Sequence, residues 1–168
     1  MAAVLGYTAL VDDEANDEVA QELVTELADA EGEGEAVDPS SAEDDAAEDD
    51  AAEDAAAPAG PVRLTTGTFQ GLDDHAASGT VSLVEQPDGS QVVLFEDFEV
   101  ERGPDYLVYL VPGDAAFDAS AGVEIAPLQG NVGDQQYAVP DELVGEQPLT
   151  VLIWCRAFDV NIAGASLA

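Results

Sequence analysis

From Pro61 onward, apolar and polar residues alternate in short runs broken by Gly, Pro, Asp and Asn. Alternation of period two over four to eight residues is the mark of strands buried on one face. The pattern predicts strands near Val62–Phe69, Ser78–Glu85, Gln91–Val100, Tyr106–Val111, Gly122–Ala126, Gln135–Val139, Leu149–Ala157 and Val160–Leu167. Pro87-Asp88-Gly89 predicts a hairpin turn between the second and third runs: proline presets the first corner and glycine supplies a positive φ. No helical period of useful length survives after residue 61. Eight short strands in about 108 residues predict an all-β domain over 61–168, an antiparallel β-sandwich or small barrel large enough for its own core.

The first sixty residues follow other rules. Ala2–Val11 is an apolar run of ten residues, about half of what a membrane-spanning helix needs. It lacks the positive flank of a signal peptide. Two readings stand for 1–11: the tail of a membrane anchor whose start lies upstream, or a frayed apolar terminus without a role. Over 12–30 the spacing predicts a short amphipathic helix, capped by Asp12 or Asp13, with Val19, Leu23 and Leu27 on its apolar face. Glu14, Asp17 and Glu18 suit the positive end of its dipole. Without a partner surface such a helix is marginal. Residues 31–60 are rich in Ala, Asp and Glu, with a near-repeat from Ala42 to Ala56 and only Val37 as an aliphatic larger than alanine. Such a stretch buries too little to offset the entropy of ordering, so it is expected to be a disordered acidic linker. Fully stretched, it would reach about 100 Å.

Charge narrows the function. The chain has 37 acidic residues against 3 arginines and no lysine, a net charge of −34. That excludes unaided binding to nucleic acid or to an anionic membrane surface, and leaves a membrane association only through an N-terminal anchor. Residues 61–168 hold 17 of the acids and all three arginines, Arg63, Arg102 and Arg156. A surface of this kind is screened and hydrated in molar salt and repels itself in dilute salt, which suggests a halophilic setting. One cysteine allows no internal disulfide, and one histidine allows no zinc site of Cys/His type. There is no phosphate-cradling glycine loop and no paired-histidine motif.

Cys155 lies in Leu152-Ile153-Trp154-Cys155-Arg156-Ala157-Phe158. Alternation places Leu152, Trp154, Arg156 and Phe158 on one face and Val151, Ile153, Cys155 and Ala157 on the other. Both faces are mainly apolar, so a central strand is expected, and a thiol among small and branched neighbours is expected to be packed and inert. Asn131, Asp134 and Gln135 form a glycine-bounded loop with two or three oxygens, too few for calcium, and a turn in which Asn131 and Asp134 bond their own backbone is the better reading. His75 follows Asp73-Asp74 and reads as a solvated loop histidine before it reads as a metal ligand.

Taken in order, several segments resemble the DM-thirteen domain, the proposed electron-transfer module of Skeletor-type proteins. They are Gly67-Thr68-Phe69, His75 through Thr80, Leu94 to Phe98, Gly103-Pro104-Asp105-Tyr106-Leu107-Val108-Tyr109-Leu110, Leu128 through Tyr137 with Pro140, and Ile153-Trp154-Cys155-Arg156-Ala157-Phe158. The resemblance spans 62–168. It implies that Cys155 is the family's characteristic cysteine, acting as a redox thiol or as a haem ligand, with His75 the only histidine able to supply a second axial ligand. It also implies an anchor, a flexible stretch and then a β-domain outside the cytoplasm, working with a redox or envelope protein partner. Two departures stand out: Tyr106-Leu107 where the family reads Leu-Tyr, and Ala163 where it has glycine, with Gly164 one residue late. The implied function is an extracytoplasmic electron-transfer module; the alternative is a non-catalytic envelope β-sandwich that binds a partner through its loops, with Cys155 only filling core.

Overall fold

The structure, a computed structural model, describes residues 18–32 and 60–168. The apolar run 2–11, the capping aspartates Asp12 and Asp13, and residues 33–59 of the acidic stretch lie outside the described residues. Nine strands form two antiparallel sheets packed face to face: β1 (Val62–Thr68), β2 (Gln70–Gly71), β3 (Ala77–Glu85), β4 (Gln91–Val100), β5 (Tyr106–Pro112), β6 (Val123–Pro127), β7 (Gln135–Ala138), β8 (Leu149–Cys155) and β9 (Val160–Leu167). One sheet has the order β1-β3-β4-β7 and the other β2-β9-β8-β5-β6. The sheets stay separate, so the architecture is a sandwich and not a closed barrel. The two-residue strand β2 escaped the sequence pattern because a strand that short shows no alternation.

Between the sheets lies one apolar core. Val81, Leu83, Val93 and Phe95 face it from the first sheet, and Tyr106, Val108, Leu110, Val151, Ile153 and Cys155 from the second. Phe69, Phe95 and Phe98 meet at ring-centroid distances of 4.8 to 5.2 Å in edge-on and tilted pairs, and Tyr137 extends the cluster at 5.1 Å from Phe95. Gly67 is needed at the close approach of β1 to β9: a Cβ there would stand 2.1 Å from the Ser166 carbonyl oxygen.

Each sheet also has an outer face. On the four-stranded sheet it is covered by the helix α1 (Glu18–Gly32), whose Ala20, Leu23 and Leu27 are buried against Val84 and Leu94, with Val24 and Val92 packed alongside. The helix therefore has the partner surface it needed. Its buried stripe holds Leu23 and Leu27 as expected and differs at the first position, where Val19 is 57% exposed and Ala20 is buried instead. Helical spacing places either residue 19 or residue 20 beside Leu23, and the docking surface selected Ala20, with Val24 packed alongside. The helix also continues to Gly32, two residues past its expected end.

On the five-stranded sheet the cover is the loop from Gly113 to Gly122. The Thr150 hydroxyl donates to the Gly113 carbonyl (2.6 Å) and accepts from the Ala116 amide (3.0 Å), while the Asn161 side chain donates to the Phe117 carbonyl (3.2 Å). Phe117 packs on Gly164, where a Cβ would stand 2.4 Å from its ring. A bulge in β9 explains why Gly164 and not Ala163 takes this place. The register skips Ile162 between the pairs Ile153↔Ala163 and Trp154↔Asn161, so Ile162 and Ala163 both join the core and Gly164 faces outward.

Candidate functional site

Cys155 is the last residue of β8, opposite Tyr106 of β5 on one side and Val160 of β9 on the other. The strand is central, as its two apolar faces required, but it stops at the cysteine. Arg156, Ala157, Phe158 and Asp159 form the turn into β9, so the alternation expected through Phe158 breaks off and Phe158 stands 71% exposed. Cys155 thus sits at the rim of the core, one residue from the surface.

What seals it is the loop from Glu101 to Asp105. The Cys155 thiol donates to the Pro104 carbonyl at 3.1 Å, and the residue is 1% exposed. Gly103 is required because the loop crosses directly over Tyr106: a Cβ would stand 2.1 Å from the Tyr106 hydroxyl oxygen. Asp105 turns the chain into β5 with φ 57°, in the left-handed region. The loop is then clasped to the β8–β9 turn. Arg156 donates from Nε and Nη2 to the two Asp105 oxygens, both at 2.8 Å, and its backbone amide donates to the Asp105 carbonyl at 3.1 Å. Asp105 raises the pKa of the Arg156 guanidinium, so the clasp stays charged. The charge nearest Cys155 in the chain is therefore committed to the loop that covers it.

Tyr106 is the second member of this site. Burial pushes its phenol above the ordinary value, and the charged forms of Cys155 and Glu101 push it further. It remains a neutral phenol at physiological pH. At the other end of the loop, Glu101 accepts from the Ala76 amide at 3.2 Å and pairs with His75 Nδ1 at 3.1 Å. The amide first, and His75 second, hold the Glu101 carboxyl below its usual range. The sequence brought Cys155 and His75 forward together; the structure assigns them to opposite ends of the covering loop, His75 bracing Glu101 and Cys155 lying under Pro104.

This arrangement does not fit a haem between the two. The Cys155 sulfur is sealed, its hydrogen is committed to Pro104, and it does not line the clefts beside Trp154, beneath α1 or beside Glu101. The loop Gly130–Gln135 is likewise structural. Asp134 accepts from the Asp97 amide at 2.9 Å, the Asn131 side chain donates to the Val100 carbonyl at 3.5 Å, and the buried Gln135 amide donates to the Gly130 carbonyl at 2.8 Å and accepts from the Tyr137 hydroxyl at 2.6 Å. Asn131 and Asp134 bond to β4 and not to their own turn, because the loop packs along that strand. No group of three or more His, Cys, Asp or Glu side chains suited to a metal occurs among the described residues.

Arg156, Asp105, Gly103 and Tyr106 were not singled out as site residues by sequence. The signal was present in Gly103-Pro104-Asp105 and in the arginine next to the cysteine, but their meeting depends on pairing β5 with β8.

The sequence model of the family described as electron transfer DM13 matches residues 68–167, more than half of the chain. The chain belongs to the DM13 family. The match covers the sandwich from the end of β1 to the end of β9, includes the clasp and Cys155, and leaves α1 outside. The DM13 domain here therefore carries an additional helix on its four-stranded sheet. No curated protein and no solved structure matches the chain.

Proposed function

We propose that this DM13 domain is an extracytoplasmic electron-transfer module whose redox group is Cys155, and that the loop 101–105 is displaced when it works. The observation that carries this reading is the position of the thiol: at the rim of the core, under a single loop held by a surface ion pair. With one thiol in the chain, and so no internal disulfide to form, the redox chemistry proposed for it is exchange with a disulfide on a redox partner. Cys155 gives up its proton and its sulfur attacks one partner sulfur. One S–S bond forms as the partner's breaks, and the leaving sulfur takes a proton. The partner is reduced by one thiol, and Cys155 is held as a mixed disulfide until a second thiol releases it. Disulfides persist outside the cytoplasm, which supports an envelope location, as does the apolar run ahead of the acidic stretch. The acidic surface supports a salt-rich medium.

The test is reaction of the folded chain with a chromogenic disulfide across pH, with Cys155→Ala as the blank. Reaction faster than global unfolding, with a mixed disulfide at Cys155 seen by mass spectrometry, is expected. Reaction as slow as global unfolding would refute the proposal. It would favour a non-catalytic envelope sandwich, a reading supported by the near-complete burial of Cys155.

A further inference from the structure

The outer face of the five-stranded sheet has a cleft of about 420 Å³ on the side of β8 opposite to Cys155. Its walls are Tyr109, Trp154 and Phe117, and its rim carries Asp73, Asp118 and Asp159. Tyr109 and Trp154 stand nearly perpendicular, at 82° with centroids 5.9 Å apart, and make two sides of an open corner. Phe117 is held as the third wall by its seat on Gly164 and by the bond from Asn161 to its carbonyl. All three rings are only half-buried although the loop that supplies Phe117 is stitched down over this face.

We propose that this corner is a binding site for an organic ammonium cation. Ring faces attract cations through their quadrupole, most strongly for Trp, and a box of aromatic walls suits a bulky, weakly hydrated ammonium group. The charge of the rim points the same way. Asp118 accepts from the Ser120 amide and hydroxyl, bonds that hold it ionised. Asp73 and Asp159 have no hydrogen-bond or ion-pair partner among the described residues. Arg156 interacts with Tyr109 and Glu124 near the cleft, but its guanidinium is held by both oxygens of Asp105. A small metal ion does not match the site, because the carboxylates do not converge to a metal-sized point and the space between them is walled by rings. The volume falls within the range of small-molecule pockets. The site is independent of the redox reading, since nothing in it requires Cys155 to react.

Trp154 is the only tryptophan in the chain and reports on its own corner. The full chain is titrated with choline chloride replacing sodium chloride at constant ionic strength, and separately with 3,3-dimethylbutan-1-ol, the uncharged isostere. Saturable change of the Trp154 emission by choline is expected, with the isostere weaker by roughly tenfold. Asp73→Asn and Asp159→Asn, both exposed substitutions, should each weaken choline by about threefold or more, and Tyr109→Leu by more than either. A third arm uses a blocked trimethyl-lysine peptide. Binding tighter than choline assigns the cation to a partner's side chain, and equal or weaker binding assigns it to a free small molecule. A response that does not saturate, that the isostere reproduces, or that the two aspartate substitutions leave unchanged overturns the proposal.

Discussion

Substituting Leu27→Ala separates the helix from the sandwich energetically. Leu27 is 1% exposed and belongs to a small cluster of Ala20, Leu23, Val84 and Leu94 that shares no residue with the core between the sheets. Leu→Ala at a buried site costs about 2–5 kcal/mol, the sum of lost transfer energy and the cavity left behind. Here a single helix covers the face and can settle toward the sheet, which places the expected loss at the low end, about 2–3 kcal/mol. At 1.4 kcal/mol per decade, that raises the local opening constant of α1 by about 30- to 150-fold. A helix of fifteen residues is marginal once undocked, so opening and unfolding of α1 are one event. Native-state hydrogen exchange reads this directly: amides in the middle of α1 should accelerate by that factor, while the slowest amides of β5, β8 and β9 keep their rates. Val19→Ala, at a position 57% exposed, should change neither by more than about twofold. If the β5 and β8 amides accelerate with those of α1, the helix is part of one cooperative unit. If α1 is unaffected, its burial carries no energy. Either result refutes the reasoning.

Three further outcomes are expected. Gly67→Ala forces a Cβ to within 2.1 Å of a backbone oxygen that cannot rotate away; a loss of about 1–3 kcal/mol should lower the melting temperature by several degrees, and an unchanged melt would contradict the close approach of β1 and β9. Glu101 should titrate below 4.5 in a carboxyl-resolved NMR experiment, and His75→Ala should reduce that depression without abolishing it, because the Ala76 amide is its largest single cause. Since its folded pKa is depressed, its stabilising effect is full above 4.5 and fades as pH falls through the lower folded value; a titration at 4.5 in the wild type would remove the bond. Finally, with 17 acids and 3 arginines in 61–168, the melting temperature should rise from millimolar to molar sodium chloride by more than a neutral osmolyte achieves, and equal effects would sink the halophilic reading.

Sequence alone determined what depends on local pattern. Alternation located eight of the nine strands, because a half-buried strand must put every second side chain into the core. The Pro87-Asp88-Gly89 turn followed from backbone preference, and the charge followed from counting. The ordered motifs ending in Trp154-Cys155-Arg156 were specific enough to indicate the family. The apolar neighbours of Cys155 foretold that its side chain faces the core between the sheets, though not the loop that seals it there.

Only the tertiary structure decided the rest. Whether Val19 or Ala20 joins Leu23 and Leu27 in the buried stripe of α1 is set by the sheet beneath it, because i,i+3 and i,i+4 spacings both fall on one helix face. The bulge at Ile162 puts both Ile162 and Ala163 in the core, and a bulge is a property of a strand pair. The clasp joins residues 51 apart in sequence, Asp105 and Arg156, and the same separation brings Pro104 over Cys155. The aromatic corner gathers residues from β5, β8 and the loop that follows β5. A strand's own sequence says which side chains share a face, but it cannot say which strand lies beside it, and both the covered thiol and the open cleft are built from that adjacency.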